Sequence, residues 1–331
     1  MIKKLSIYIT DNVIPYRNLA VEKYLTLHVQ SGECVLFLWQ NRQTVVIGRN
    51  QNCWKECKVN CLEEDGGYLA RRLSGGGAVF HDLGNLNFTF CVREEDYHVD
   101  RQLEVILKAM QFLGIHAEKT GRNDITVSGR KFSGNAFYKT NGCCYHHGTL
   151  LVDTDKSDMS KYLSVSREKL QTKSVTSVKA RVINLKEAKP DLTIRMLEEK
   201  MAQAFEEVYG LAAEKFPEER FDWQEIDEYE REFASWEWKY GRRIPFHYQM
   251  HRRFEWGDIE LRFQVNRGLV EEAQAFSDGM EQALIEALPE RFIGLRYDAR
   301  SLCEALRVAE TDPPLEQQIK ADIWKMLAEC M

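Results

Sequence analysis

Residues Ile2 to Ile9 alternate apolar and polar side chains as a strand does, and Asn12 to Val29 then carries Leu19, Ala20, Lys23, Tyr24 and Leu27 at helical spacing. Two β-favouring runs, Cys34 to Trp39 and Thr44 to Ile47, flank Gln40-Asn41-Arg42-Gln43, which predicts a hairpin. Cys53, Cys57 and Cys61 recur every fourth residue, so a single helix would stack them on one face. Asp100 to Leu113 is amphipathic and stops at Gly114. Ile125 to Val127 and Phe132 to Tyr138 read as strands joined at Ser128-Gly129-Arg130, with Tyr145 to Asp153 as a third. Thr172 to Leu185 reads as loop plus strand, and Leu192 to Tyr209 as a long amphipathic helix. Beyond Gly241 to His247, Arg253 to Phe276 alternates through two turns as an antiparallel meander, followed by helices at Glu281 to Leu288 and Leu315 to Ala328. The pattern predicts an α+β chain with a mixed or antiparallel sheet and a small α+β module at its C-terminal side.

Length and composition narrow the class. At 331 residues the chain has room for one large or two smaller domains, and its 44% apolar and 29% charged content is that of a globular protein. A formal charge of -6 argues against generic nucleic-acid binding. No apolar run is long enough to cross a membrane, and Thr10, Asp11 and Asn12 break the N-terminal run that a signal peptide requires. Nine cysteines, an odd number without paired spacing, predict reduced thiols and a cytoplasmic location.

The candidate chemistry centres on Arg71 to Phe90, RRLSGGGAVFHDLGNLNFTF. Three adjacent glycines beside two arginines let backbone N–H groups and guanidinium forks approach an anion. The contiguous glycines and the strand after them fit neither a Walker nor a Rossmann loop. A purely structural glycine hairpin is the competing reading. The four-residue cysteine period differs from iron–sulfur spacings, so packing accounts for it better. Cys143-Cys144 and His146-His147 sit in a predicted strand, where neighbours face opposite ways and too few ligands meet for a closed zinc site. A catalytic Cys–His pair stays open. Lys173, Lys179 and Arg181 lie in a basic stretch, whereas Pro190 to Ser235 is strongly acidic.

Taken in order, RRLSGGGAVFHDLGNLNFTF, GRNDI with GRKFSG, HHGTLL, SVKARVINL and SWEWKYG resemble the lipoate–protein ligase A family, within the biotin/lipoate ligase superfamily. The resemblance implies a class II synthetase-like catalytic domain over residues 1–242, binding lipoate and ATP, and an accessory domain over 248–331. It implies that lipoate and ATP give lipoyl-AMP, whose acyl group moves to a lysine on lipoyl domains of E2 subunits or on the glycine cleavage H protein. It carries nucleotide contacts to Arg72, Ser74, Gly75, Gly76, Gly77, Ala78, Val79, Phe80, Asn85, Asn123, Asp124 and Lys131. Lipoate contacts fall on Leu73, Val79, Lys131, His147 and Gly148, and Lys131 is the catalytic lysine. A monomer that binds neither nucleic acid nor membrane is expected. The chain departs from the family pattern at Lys173-Ser174, where many members have Lys-Gly, and at Lys179, where arginine is frequent.

The chemistry assigns further expectations. Lys131 would lower the repulsion between carboxylate and α-phosphate as pyrophosphate leaves. Mg2+ would accompany ATP, with Asp124 as its most economical ligand. Strands around Leu73, Val79 and Phe80 would bury the acyl tail. Three alternatives stay in play: a cysteine-dependent octanoyl or lipoyl transferase without ATP, a non-catalytic lipoate or adenylate binder, and a biotin ligase.

Overall fold

The computed structural model describes residues 1–120, 124–163, 182–240, 248–309 and 311–330, with residues 54 and 55 described by backbone alone. Asn123, Lys173, Ser174, Lys179, Arg181 and the predicted boundary at 241–247 lie outside the described residues. In chain order the strands are β1 (Lys4–Ile9), β2 (Glu33–Trp39), β3 (Thr44–Ile47), β4 (Tyr68–Arg71), β5 (Val79–His81), β6 (Asn85–Arg93), β7 (Glu118–Thr120), β8 (Asp124–Val127), β9 (Arg130–Thr140), β10 (Cys143–Leu151), β11 (Ala213–Lys215), β12 (Tyr248–Phe254), β13 (Gly257–Asn266) and β14 (Leu269–Ser277). The helices are α1 (Pro15–His28), α2 (Cys53–Glu56), α3 (Val59–Glu64), α4 (Val99–Phe112), α5 (Lys156–Tyr162), α6 (Ile194–Tyr209), α7 (Trp223–Ala234), α8 (Trp236–Tyr240), α9 (Gln282–Phe292), α10 (Ala299–Glu304) and α11 (Pro314–Cys330).

The chain divides into two compact units, one of residues 1–46, 54–72 and 79–239, the other of 47–53, 73–78 and 240–331. The first unit is built on an eight-stranded sheet in the order β11-β1-β2-β6-β10-β9-β8-β7. Its β11, β1 and β2 run parallel, and from β2 to β7 every neighbour is antiparallel. Register fixes which side chains share a face, because neighbouring residues of a strand point to opposite sides. Cys34, Leu36 and Leu38 of β2, Leu86, Phe88, Phe90 and Val92 of β6, and Cys144 and Leu150 of β10 form one apolar face. Against it pack α4 and α6, through Leu103, Ile106, Met110, Leu197, Met201 and Phe205. On the opposite face lies α1, itself packed on α7.

Two expectations are corrected. The strands β2 and β3 do not form a hairpin: β2 enters the large sheet between β1 and β6, whereas β3 joins a second sheet of order β4-β3-β5. The four residues between them are taken up by α1, since Asn18 Nδ2 donates to Gln40 O at 2.8 Å and to Asn41 Oδ1 at 3.0 Å. Nor do the three cysteines share one helix. The chain breaks between α2 and α3, where Cys57 bridges to Leu163 and Lys58 N–H donates to Tyr162 O at 2.9 Å. That tertiary pairing captures a backbone donor the helix would have used. Cys53 and Cys57 are nonetheless buried, and Cys61 is half-buried.

The second unit carries the antiparallel meander β12-β13-β14, whose Ile259, Leu261 and Phe263 pack on Leu284, Ile285, Leu288 and Phe292 of α9 and on Ile319, Ile323 and Met326 of α11. Short α10 has no counterpart in the sequence pattern. Residues 47–53 and 73–78 are held by the β14–α9 turn of this unit. Ser277 N–H donates to Asn50 O at 2.8 Å, Asn50 Nδ2 to Gln282 O at 3.0 Å, and Arg49 pairs with Glu286 at 2.6 Å.

Candidate active site

The face of the large sheet opposite α4 and α6 is built from alternate residues of four strands. They are Val35, Phe37 and Trp39; Asn85, Asn87, Thr89 and Cys91; Tyr145, His147 and Thr149; and Gly134, Ala136 and Tyr138. One cross-strand row reads Trp39, Asn87, Thr149, Gly134 and Asp124, the contact between Thr149 and Gly134 being a hydrogen bond from Gly134 N–H to Thr149 Oγ1 at 3.3 Å.

Lys131 reaches this face through a β-bulge. Ile125 opposes Ser133 while Thr126 opposes Lys131, which leaves Phe132 as the extra residue. Unbroken alternation would place Lys131 on the face of Ser133. The insertion moves it to the face of Gly134 and Asp124, and Lys131 Nζ lies 2.7 Å from Asp124 Oδ1. Gly134 makes the room, since a Cβ there would stand 2.8 Å from Nζ and 2.9 Å from Cε. The pair is only partly exposed, at 37% and 38%. From the other side, Ile183 N–H holds the Lys131 carbonyl at 2.9 Å.

Across the same face runs a buried polar chain. Trp39 Nε1 donates to Thr89 Oγ1 at 3.1 Å, Thr89 Oγ1 to Glu22 Oε1 at 2.7 Å, and His147 Nδ1 to the same carboxylate oxygen at 2.8 Å. Glu22 belongs to α1 and is 1% exposed. Aromatic rings surround the chain, with Tyr145 4.6 Å from His147, Tyr138 5.2 Å from Tyr145, and Phe37 stacked at 5.8 Å on Trp39. Gly134 and Asn87 are two strand spacings apart, about 10 Å. This face, the slot, therefore has a cation at one end and aromatic side chains along it.

Arg72 follows β4 and is buried, its Nη1 donating to Val46 O at 3.2 Å. Burial pulls its guanidinium down to about 10, against the pull of Tyr145 and Glu22, which place it electrostatically beside the slot. Burial also drives His81 down to about 3, helped by the charges of Arg72 and His147, so this imidazole stays neutral. Its Nδ1 faces the Asn41 amide at 3.2 Å, and its Nε2 is buried with no hydrogen-bond partner among the described residues. Asn85 Nδ2 donates to Asn87 Oδ1 at 2.9 Å, which leaves Asn85 Oδ1 and Asn87 Nδ2 in the same condition. Orphaned buried polar atoms are rare in folded proteins and cluster where water or a ligand belongs.

The structure thus brings together Lys131, Asp124, His147 and Asn85 on one face, with Arg72 beside it. On β5 Val79 shares the side of His81, whereas Phe80 turns away to pack 5.8 Å from Tyr162. Gly148 faces the apolar side, where a Cβ would come within 2.7 Å of the Phe88 ring. Leu73, Ser74, Gly75, Gly76, Gly77 and Ala78 belong to the second unit, in which Gly76, at φ 91°, donates its N–H to Gly279 O at 3.3 Å. Among the described residues no group of three or more His, Cys, Asp or Glu could hold a metal ion. Glu22, Trp39, Thr89 and Tyr145 carry much of the site without having been singled out in the sequence. For Trp39, Thr89 and Tyr145 the signal was the polar or aromatic residue recurring at every second position of buried strands, whereas Glu22, on α1, carried no such signal.

A family model described as "Lipoyl protein ligase A/B catalytic domain" matches residues 14–206, and one described as "Bacterial lipoate protein ligase C-terminus" matches residues 243–327. The chain belongs to the lipoate–protein ligase family. Among solved structures, P. falciparum LipL1 in complex with lipoate is similar at 28% identity and a TM-score of 0.83, over 97% of this chain and 99% of that one. A bipartite lipoate protein ligase from Thermoplasma acidophilum, described with its E2 lipoyl domain, is similar at 26% identity and a TM-score of 0.62, over 74% of this chain and 99% of that one. A lipoate-protein ligase A bound with ATP shares the fold, at 24% identity and a TM-score of 0.60, over 73% and 99%. The mixed α+β architecture is the one the family resemblance implied. No helix among the described residues is long and apolar enough to cross a membrane.

Proposed function

We propose that this chain activates lipoate with ATP, as lipoyl-AMP, and transfers the lipoyl group to a lysine of lipoyl domains on E2 subunits or on the glycine cleavage H protein. The observation that carries this reading is the Lys131 ammonium, bulged onto a largely buried slot and held 2.7 Å from Asp124. A carboxylate with its tail along the aromatic wall would meet that ammonium as its oxygen attacks the α-phosphorus and pyrophosphate departs. Fixed donors and cations at such a point are worth about 3 kcal/mol, roughly 100-fold in rate. In the second step the acceptor amine attacks the acyl carbon, AMP leaves, and the amine proton passes to solvent. Arg72 would serve the nucleotide, and the Glu22–His147 pair would order the inner wall of the slot.

A magnesium ion arriving on nucleotide phosphates keeps most of its waters and needs one or two carboxylates. Asp124 fits as one of them, being partly exposed and on the face of Lys131; the ion would neutralise phosphate charge there. The domain limits 1–242 and 248–331 are part of the same proposal.

The reading is supported by the lipoate complex of the P. falciparum relative and by the E2 lipoyl domain described with the T. acidophilum ligase. A thioester route is disfavoured by position. Cys144 is buried on the apolar face and pushed up to about 11 by burial. Cys143 stands six residues along β10 from Thr149, about 20 Å away. The test is lipoate-dependent exchange of pyrophosphate into ATP, with transfer to an isolated lipoyl domain measured alongside. Both are expected. Transfer from an acyl donor without ATP, in the absence of exchange, would overturn the reading in favour of a transferase, and exchange with biotin alone would assign the slot to biotin.

A further inference from the structure

The SWEWKYG motif lies far along the chain from the glycine loop and has no role in the chemistry above. In the fold it closes on the first of the two adjacent arginines. Arg71 Nε donates to Trp238 O at 2.8 Å and Arg71 Nη2 to Lys239 O at 2.8 Å. In return Trp238 Nε1 donates to Arg71 O at 2.8 Å. The clasp is therefore reciprocal: α8 receives the guanidinium on two backbone carbonyls, and its indole grips the strand's own backbone.

The carbonyl gripped by the indole is half of the peptide plane that joins Arg71 to Arg72. Successive side chains of an extended strand leave it on opposite sides. With Arg71 fastened to α8 and 7% exposed, Arg72 is turned the other way, to Val46 O and the electrostatic neighbourhood of Tyr145 and Glu22. Trp238 is itself fixed, its ring meeting Phe233 edge-on at 5.3 Å and its backbone N–H donating to Ser235 Oγ at 3.1 Å. Tyr16 anchors the strand again one turn of the pleat earlier, donating to Leu69 O at 3.0 Å.

We infer that Trp238 and Arg71 are positioning residues for Arg72, holding the peptide plane from which its guanidinium is aimed at the nucleotide. This rests on the reading in which Arg72 serves the nucleotide. The clasp touches neither substrate, so its loss should appear at the nucleotide step and spare the lipoate step.

The test substitutes Trp238→Phe, which keeps a ring against Phe233 and deletes one N–H donor, and Arg71→Lys, which keeps the charge but loses the fork onto two carbonyls. Binding of a non-hydrolysable ATP analogue and of lipoate are each measured by calorimetry on the full chain, with thermal unfolding as the folding control. Each variant should weaken analogue binding about three- to tenfold, the worth of one net hydrogen bond, with lipoate binding within about twofold of wild type. Added to Arg72→Lys, Trp238→Phe should cost nothing further, because the group it aims is already altered. Unchanged analogue binding, equal losses for lipoate and analogue, or a loss that adds in full to that of Arg72→Lys would overturn the clasp. Should Trp238→Phe fail to fold, the Arg71→Lys series reads the same outcomes. Wild type that binds the analogue but shows no pyrophosphate exchange would sink the ligase reading while the binding data still decide the clasp. Wild type that binds no nucleotide sinks both.

Discussion

The two faces of the large sheet are cut from the same strands and have opposite characters. In β6, Leu86, Phe88, Phe90 and Val92 enter a core closed by α4 and α6, while Asn85, Asn87 and Thr89 between them look onto the slot. Both sets are buried. On the apolar side burial is favourable for every methylene removed from water. On the slot side it leaves Asn85 Oδ1, Asn87 Nδ2 and His81 Nε2 without a hydrogen-bond partner among the described residues and holds a carboxylate, Glu22, inside the protein. Each orphaned group costs on the order of 1–3 kcal/mol. A fold tolerates that cost where a ligand or ordered water restores the missing partners. The apolar face accordingly supplies stability, and the slot face is where the chemistry is proposed.

The contrast can be broken by substitution. Phe90→Ala on the apolar face should remove about 3–5 kcal/mol of stability, read by denaturant unfolding, with pyrophosphate exchange per folded molecule unchanged. Lys131→Met on the slot face should do the converse: exchange falls roughly 100-fold or more, about 3 kcal/mol, while the unfolding midpoint stays put. A Lys131→Met protein that is folded and fully active would end the assignment of this lysine.

Acidification tests both faces together. His81 on the slot side and His146 on the apolar side are each held down to about 3 by burial first, with neighbouring positive charge second. The unfolded chain protonates these imidazoles near pH 6.5, well before the folded chain does. Their contribution is full above that pH and is lost as pH falls toward 3, at about 1.4 kcal/mol per pH unit for each imidazole. Stability curves at stepped pH should show this, and His146→Gln should remove about half of the slope.

Smaller effects sharpen the boundary. Gly134→Ala should lower exchange about tenfold, 1.4 kcal/mol, because its Cβ would displace the Lys131 ammonium, whereas stability changes little. Serine at Cys143 and Cys144 should leave transfer unaltered. A lost transfer rate there would revive the thioester route.

Much of this was legible from residue order. The alternation of β9 and β10, the amphipathic α4 and α6 and the C-terminal meander stand in the structure close to where periodicity puts them. Local patterns failed where a partner distant in sequence took over. The connection from β2 to β3 looked like a hairpin because nothing nearby reveals that β1 and β6 claim β2. Three cysteines at helical spacing ended up on two short helices because Tyr162, a hundred residues on, accepts a backbone hydrogen bond at the break. Lys131 was recognisable from its motif, yet the bulge that turns it toward Asp124 was not, since a bulge depends on how β8 and β9 pair.

By itself the amino-acid order determined the family, the class of fold and the lysine on which the chemistry is proposed to turn. These follow from local spacing and from motifs whose residue types are dictated by the groups they would meet. Tertiary structure alone decided which alternate residues became core and which became slot, that Glu22 reaches His147 across 125 positions, and that Trp238 grips the peptide before Arg72. Such contacts are set by strand register and helix docking, and those are decided by the whole buried surface at once.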